Sequence, residues 1–80
     1  MHIGEKVSGR RRKKNWTQED LAREAGVPQS VISRIERGER KNPSIDVVRR
    51  LAEALGVTID YLAGAYEEAE DTAFVATAVA

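Results

Sequence analysis

Within nine residues of this 80-residue chain lie five side chains suited to the edges of nucleic-acid bases: Gln29, Ser30, Ser33, Arg34 and Arg37. A glutamine amide sets a donor beside an acceptor and matches adenine N6 and N7. An arginine fork matches guanine O6 and N7, and a serine hydroxyl donates or accepts at short range. Turned through about 100° per residue, as in a helix, Pro28, Val31, Ile32 and Ile35 gather on one side. Ser30, Ser33, Arg34 and Arg37 fall on the other, with Gln29 at its edge. One face is apolar and branched, and the opposite face offers hydrogen bonds with no carboxylate at its centre.

Such a face reads nothing unless other elements hold it against a duplex. Thr17-Gln18-Glu19-Asp20 has the form of a capping box, with Asp20 in the place of the usual Glu or Gln. The helix it opens runs to Ala25, burying Leu21, Ala22 and Ala25, and Gly26 follows where a left-handed residue ends a helix without a Cβ penalty. Pro28 fits the first position of the next helix, which reaches Arg37 and stops at Gly38. Thr17 to Arg37 is thus helix, glycine-containing turn, helix in 21 residues, the spacing of a helix-turn-helix. Phosphate clamps flank it. The helix start at Thr17 and Gln18 offers free N–H groups to an anion, and Arg40, Lys41 and Asn42 supply polar and cationic groups beyond the second helix.

Three further helices complete the reading. The first spans about Ile3 to Lys14, with Ile3 and Val7 as a sparse apolar stripe. Arg10-Arg11-Arg12-Lys13-Lys14 complements its negative carboxyl end, mostly as a solvated face with Lys13 or Lys14 within reach of phosphate. Trp16 precedes a cap, where an aromatic packs as a staple more readily than it stacks on a base. Ser44 caps a fourth helix carrying Val48, Leu51, Ala52 and Leu55, closed by Gly56. Thr58 caps a fifth, with Asp60 in its first turn and Ile59 and Leu62 facing inward. No strand-like alternation occurs up to residue 63. The expected fold is all-α, a five-helix domain over residues 1–63 with a tail over 64–80. In that tail Val75, Thr77 and Val79 alternate as in a strand, whereas the interspersed alanines favour helix; either form needs another surface to cover it.

Composition narrows the chemistry. With no cysteine and the single histidine His2 near the amino end, neither a thiolate centre nor a histidine-based metal site can be assembled. No nucleophile–base pair or phosphate-cradling glycine loop is visible, so the expectation is a non-enzyme without cofactor or metal. The acids Glu67 to Asp71 read as a solvated segment rather than a cation site. No apolar run approaches the ~18 residues of a membrane span, and Met1 to Gly9 lacks the apolar stretch of a secretory signal. The net charge of zero conceals a division. Residues 1–50 hold all 13 Lys and Arg with seven acids, net +6, and residues 51–80 hold six acids and no base, net −6. A basic first part beside an acidic end suits a polyanionic partner.

The stretch TQEDLAREAGVPQSVISRIERGERKNPSIDVVRRLAEALGV resembles the helix-turn-helix domain of phage repressors and Cro, the xenobiotic-response-element family of bacterial regulators. The resemblance covers Ile3 to Ala63, nearly four-fifths of the chain. It implies a five-helix domain binding operator DNA as a symmetric dimer in the bacterial cytoplasm, associated with the nucleoid. It places base contacts at Gln29, Ser30 and Arg34 with Ser33 and Arg37 nearby, and phosphate contacts at Gln18 and from Arg40 to Ser44. It also implies an ion pair between Arg11 and Glu36. Arg10 departs from the pattern, where an apolar residue is usual, so the first helix is expected to pack less firmly.

The leading expectation is a sequence-specific regulator, most often a repressor in this family, acting on double-stranded DNA as a homodimer. The alternative is a protein-interaction module, an antitoxin or co-activator type whose tail docks a protein. Val57, Ile59, Tyr61 and Leu62, with Phe74, Val75 and Val79 of the tail, are the candidates for a dimer surface.

Overall fold

The computed structural model describes residues 2–40 and 42–64. Five helices follow one another: α1 (Ile3–Lys13), α2 (Gln18–Ala25), α3 (Gln29–Glu36), α4 (Ile45–Leu55) and α5 (Ile59–Ala63). Four of the five starts have a side chain bonded to a free N–H of the first turn. Thr17 Oγ1 accepts from Asp20 N at 3.0 Å while Asp20 Oδ2 accepts from Thr17 N at 2.9 Å, completing the capping box. Ser44 and Thr58 cap α4 and α5 through Val47 N and Tyr61 N. The fourth cap is His2, whose Nδ1 accepts from Gly4 N at 3.1 Å, so the lone histidine has a structural task.

Pro28 departs from the sequence expectation by one position. Its ψ of 140° is extended, so it is the cap of α3 rather than its first helical residue. Its carbonyl accepts from Val31 N and Ile32 N, and a residue without N–H loses nothing by standing before the helix. The turn from α2 is made by Gly26 at φ 69°, a left-handed conformation that a side chain would strain. Gly26 N and Val27 N both return to Ala22 O, and Val27 is buried beneath them.

The apolar stripes converge on one core. It joins Ile3 and Val7 of α1, Leu21 and Ala25 of α2, Ile32 and Ile35 of α3, Val48, Leu51, Ala52 and Leu55 of α4, and Leu62 of α5. Each fully buried Leu or Ile contributes roughly 1.5–3 kcal/mol of apolar transfer. α3 is gripped from two sides, by α1 and α2, while α4 packs against α1, α2 and α5. At Gly4 the approach of α1 to α3 is so close that a Cβ would run into the Ile35 carbonyl oxygen. Trp16 packs against the core, as expected of a residue preceding a cap. No helix among the described residues is long and apolar enough to cross a membrane.

Candidate nucleic-acid interface

The apolar face of α3 explains its orientation. Ile32 and Ile35 are fully buried, so the opposite face must look outward. Gln29, Ser30, Arg34 and Arg37 are exposed, and Ser33 is half-buried. Gln29 and Ser30 open the helix, and no hydrogen bond or ion pair within the described residues engages their side chains or the guanidinium of Arg34. The face therefore retains an amide, a hydroxyl and a guanidinium in solvent.

Ser33 and Arg37 are placed differently. Arg37 Nη1 donates to Ser33 Oγ, and the same guanidinium donates to Glu39 through Nε at 3.0 Å and Nη2 at 3.2 Å. The pairing raises the Arg37 pKa above its ordinary value. It holds the Glu39 carboxyl below its own, chiefly through the hydrogen bonds from Arg37, with the Arg34 charge adding to it. Glu39 is the residue sequence reasoning missed. It lies two positions from Arg37 across a glycine turn, outside the helical spacings by which charge pairs are recognised.

Beneath this outer face lies a polar brace. Arg11 Nε donates to Glu36 Oε2 at 2.8 Å and Nη2 to Oε1 at 2.9 Å, a bidentate pair whose side chains are only 11% and 7% exposed. The third arm, Nη1, donates to the Trp16 carbonyl at 2.8 Å, and Gln18 Nε2 donates to Glu36 Oε1 at 3.0 Å. Asn15, at φ 60°, turns the chain between α1 and α2, a conformation asparagine tolerates better than most residues. Hydrogen bonding to Glu36 raises the Arg11 pKa against the opposing effect of burial. One network thus ties the end of α1 and the start of α2 to the last turn of α3, and fixes how α3 projects.

Two stretches flank the outer face of α3, the start of α2 and the loop after α3. Gln18 gives its amide N–H to Glu36, so its side chain braces α3; the helix start offers the Gln18 and Glu19 backbone amides, which have no intrahelical acceptor. Thr17 Oγ1 is committed as the cap acceptor but keeps its hydroxyl proton to donate. After α3, Glu39 N and Arg40 N both return to the Arg34 carbonyl, at 2.9 and 3.3 Å, folding the loop back along the helix. Arg40 and Ser44 are exposed there, as is Asn42. Lys41 lies outside the described residues.

Of the candidate dimer residues, Leu62 is corrected. It is fully buried in the core and closes the seat of α5 on α4, so it offers no surface. Val57, Ile59 and Tyr61 are half-buried against the core. The Tyr61 ring lies beneath Lys6 Nζ and Arg10 Cζ, at 4.3 and 4.9 Å from its centre. That contact also answers the departure at Arg10, whose charge over an aromatic face joins α1 to α5 where an apolar side chain was expected. Phe74, Val75 and Val79 lie outside the described residues.

Five helices, a left-handed glycine between α2 and α3, and a polar outer face on α3 define a helix-turn-helix domain. A family model described as helix-turn-helix matches residues 9–62, and the chain belongs to that family, of the phage-repressor and Cro type. The HTH-type transcriptional regulator SinR of Bacillus licheniformis is 34% identical over 68 residues, covering 85% of this chain and 61% of the relative. The immunity repressor protein of Bacillus phage phi105 is 33% identical over 64 residues, covering 80% and 44%. The chain therefore spans less than two thirds of the length of each of these two curated relatives. A crystal structure of SinR in complex with DNA matches with a TM-score of 0.73 at 34% identity, over 76% of this chain and 97% of that one. A SinR–SinI complex matches with a TM-score of 0.73 at 33% identity, over 88% of this chain and 65% of that one.

Proposed function

We propose that this protein is a sequence-specific DNA-binding transcriptional regulator, a repressor by type, that lays α3 into the major groove of operator half-sites. Gln29, Ser30 and Arg34 touch base edges. Arg37 and Ser33 join them once Glu39 gives up the Arg37 guanidinium. Thr17, the amides at Gln18, and Arg40, Lys41, Asn42 and Ser44 hold the phosphates on either side. The observation that carries this reading is the exposed, unengaged Gln29–Ser30–Arg34 face set between two anion-seeking flanks. The similar SinR bound to DNA supports it. Such work places the protein in the cytoplasm, on the nucleoid.

The protein acts as a homodimer, joined along the α4–α5 edge by Val57 and Ile59, with the tail's Phe74, Val75 and Val79 as further candidates. Small single domains bury limited apolar surface, and a partner copy adds to it. Selection from random duplex DNA with the full chain tests the reading. It should enrich a two-fold symmetric site with half-sites about 34 Å apart. If the dimer neutralises roughly 6–10 phosphates, log affinity falls against log salt with a slope of about −5 to −9. Failure to enrich any sequence would refute it. A second reading, docking of a protein partner through the tail, is favoured by the similar SinR–SinI complex; a chain ending at Gly64 that keeps DNA binding but loses such a partner would establish it.

A further inference from the structure

α1 sorts its charges by side. Gly4 and Arg11 face α3, where Gly4 meets Ile35 and Arg11 pairs with Glu36. Lys6 and Arg10 face α5, where Lys6 Nζ donates to the Tyr61 carbonyl at 3.0 Å and both cations lie over the Tyr61 ring. Together with Tyr61, Gly9, Lys13 and the acid Glu5, they line a depression of about 170 Å³. Within the described residues no carboxylate pairs with Lys6, Arg10 or Lys13. A hydrogen bond from Arg10, and after it the charges of Arg10, Lys6 and Lys13, hold the Tyr61 phenol below its ordinary pKa. This cluster lies on the side of α1 turned away from α3, so the reading face makes no use of it.

Complementary charge lies close along the chain. Beyond residue 50 there is no base, and Glu67, Glu68, Glu70 and Asp71 fall within five residues. Glu67 stands three residues past Gly64, the residue that follows α5. An extended chain covers up to ~3.3–3.6 Å per residue, so the three residues from Gly64 to Glu67 allow a reach of roughly 10 Å from the end of α5. We propose that the acidic segment Glu67 to Asp71 docks in cis on the Lys6–Arg10–Lys13 face of α1. Four negative charges then cover three positive ones on the side away from α3. Resting on the DNA-binding reading, the consequence is a weaker pull on indiscriminate polyanions with the base-reading face left open.

The test compares the isotopically labelled full chain with its E67Q/E68Q/E70Q/D71N variant, whose changes lie outside the packed core. At low salt the amide resonances of Lys6, Gly9 and Tyr61 should differ between the two proteins while those of Ser30 and Arg34 coincide. The difference should be lost at 1 M salt, where the screening length is about 3 Å. Coincident Lys6, Gly9 and Tyr61 signals at low salt would overturn the proposal. So would recovery of wild-type positions when unlabelled wild-type chain is mixed with the labelled variant, since the segment would then dock on a second copy. A random duplex supplies the separate arm, which the variant should bind more tightly than the wild type at low salt only. Resonance differences without DNA binding by either protein would uphold the docking and sink the DNA reading; DNA binding without them would do the reverse.

Discussion

The two polar regions of α3 use the same side-chain types to opposite ends. At its last turn, both oxygens of Glu36 accept from Arg11, one of them also from Gln18, and Arg11 gives its remaining arm to the Trp16 carbonyl. On its outer face, the amide of Gln29 and the guanidinium of Arg34 have no such partners among the described residues and are exposed. A buried, bidentate pair fixes geometry, because losing one partner strands the other's charge. An exposed, unbonded group adds little to folding and keeps its hydrogen bonds for a ligand. The first region aims the helix, and in the proposed function the second reads with it.

Breaking the inner region should give the largest effect. Glu36→Ala leaves Arg11 charged and unpaired, and should cost about 3–5 kcal/mol of stability in chemical denaturation. Next comes the cap that starts α2. Thr17→Ala removes the acceptor for Asp20 N and should cost about 1 kcal/mol, read in the same experiment. The partner acid gives a pH signature. The Thr17 N–H bond, and then Arg23, hold the Asp20 carboxyl below its ordinary pKa. That stabilisation is fully present above the unfolded-state pKa of Asp20 and is lost as pH falls through its lower folded value. Acid titration of stability should therefore be flatter for Asp20→Asn than for wild type across that acidic window. The smallest effect concerns the outer face. Glu39 and Arg37 are both more than half exposed, so Glu39→Gln should leave the denaturation midpoint unchanged. It should nonetheless strengthen DNA binding at low salt by freeing Arg37.

The sequence foretold those parts of the fold that depend on local chemistry. The capping box at Thr17, the left-handed Gly26 and the split faces of α3 each follow from residues a few positions apart. The role of His2 was not legible, because a histidine cap depends on where the imidazole nitrogen points. The same holds for Glu39, whose pairing with Arg37 arises from the bend at Gly38. Arg10 looked like a weak point in α1 because its aromatic partner Tyr61 lies 51 positions away, brought to it by tertiary packing alone. Leu62 looked equally suited to a core or a dimer surface, and only the seating of α5 against α4 decided for the core.

On the outer face of α3, Arg34 is the most direct probe of the proposed DNA contact. Against the selected site and its single-base variants, binding by wild type, Arg34→Ala and Arg40→Ala should separate reading from clamping. Arg34→Ala should erase preference at one base position per half-site, a loss of about 1–3 kcal/mol of discrimination, with the fold intact. Arg40→Ala should weaken every sequence alike and lower the salt slope by about one per subunit. An Arg34→Ala protein that binds with the wild-type preference at every position would contradict the account.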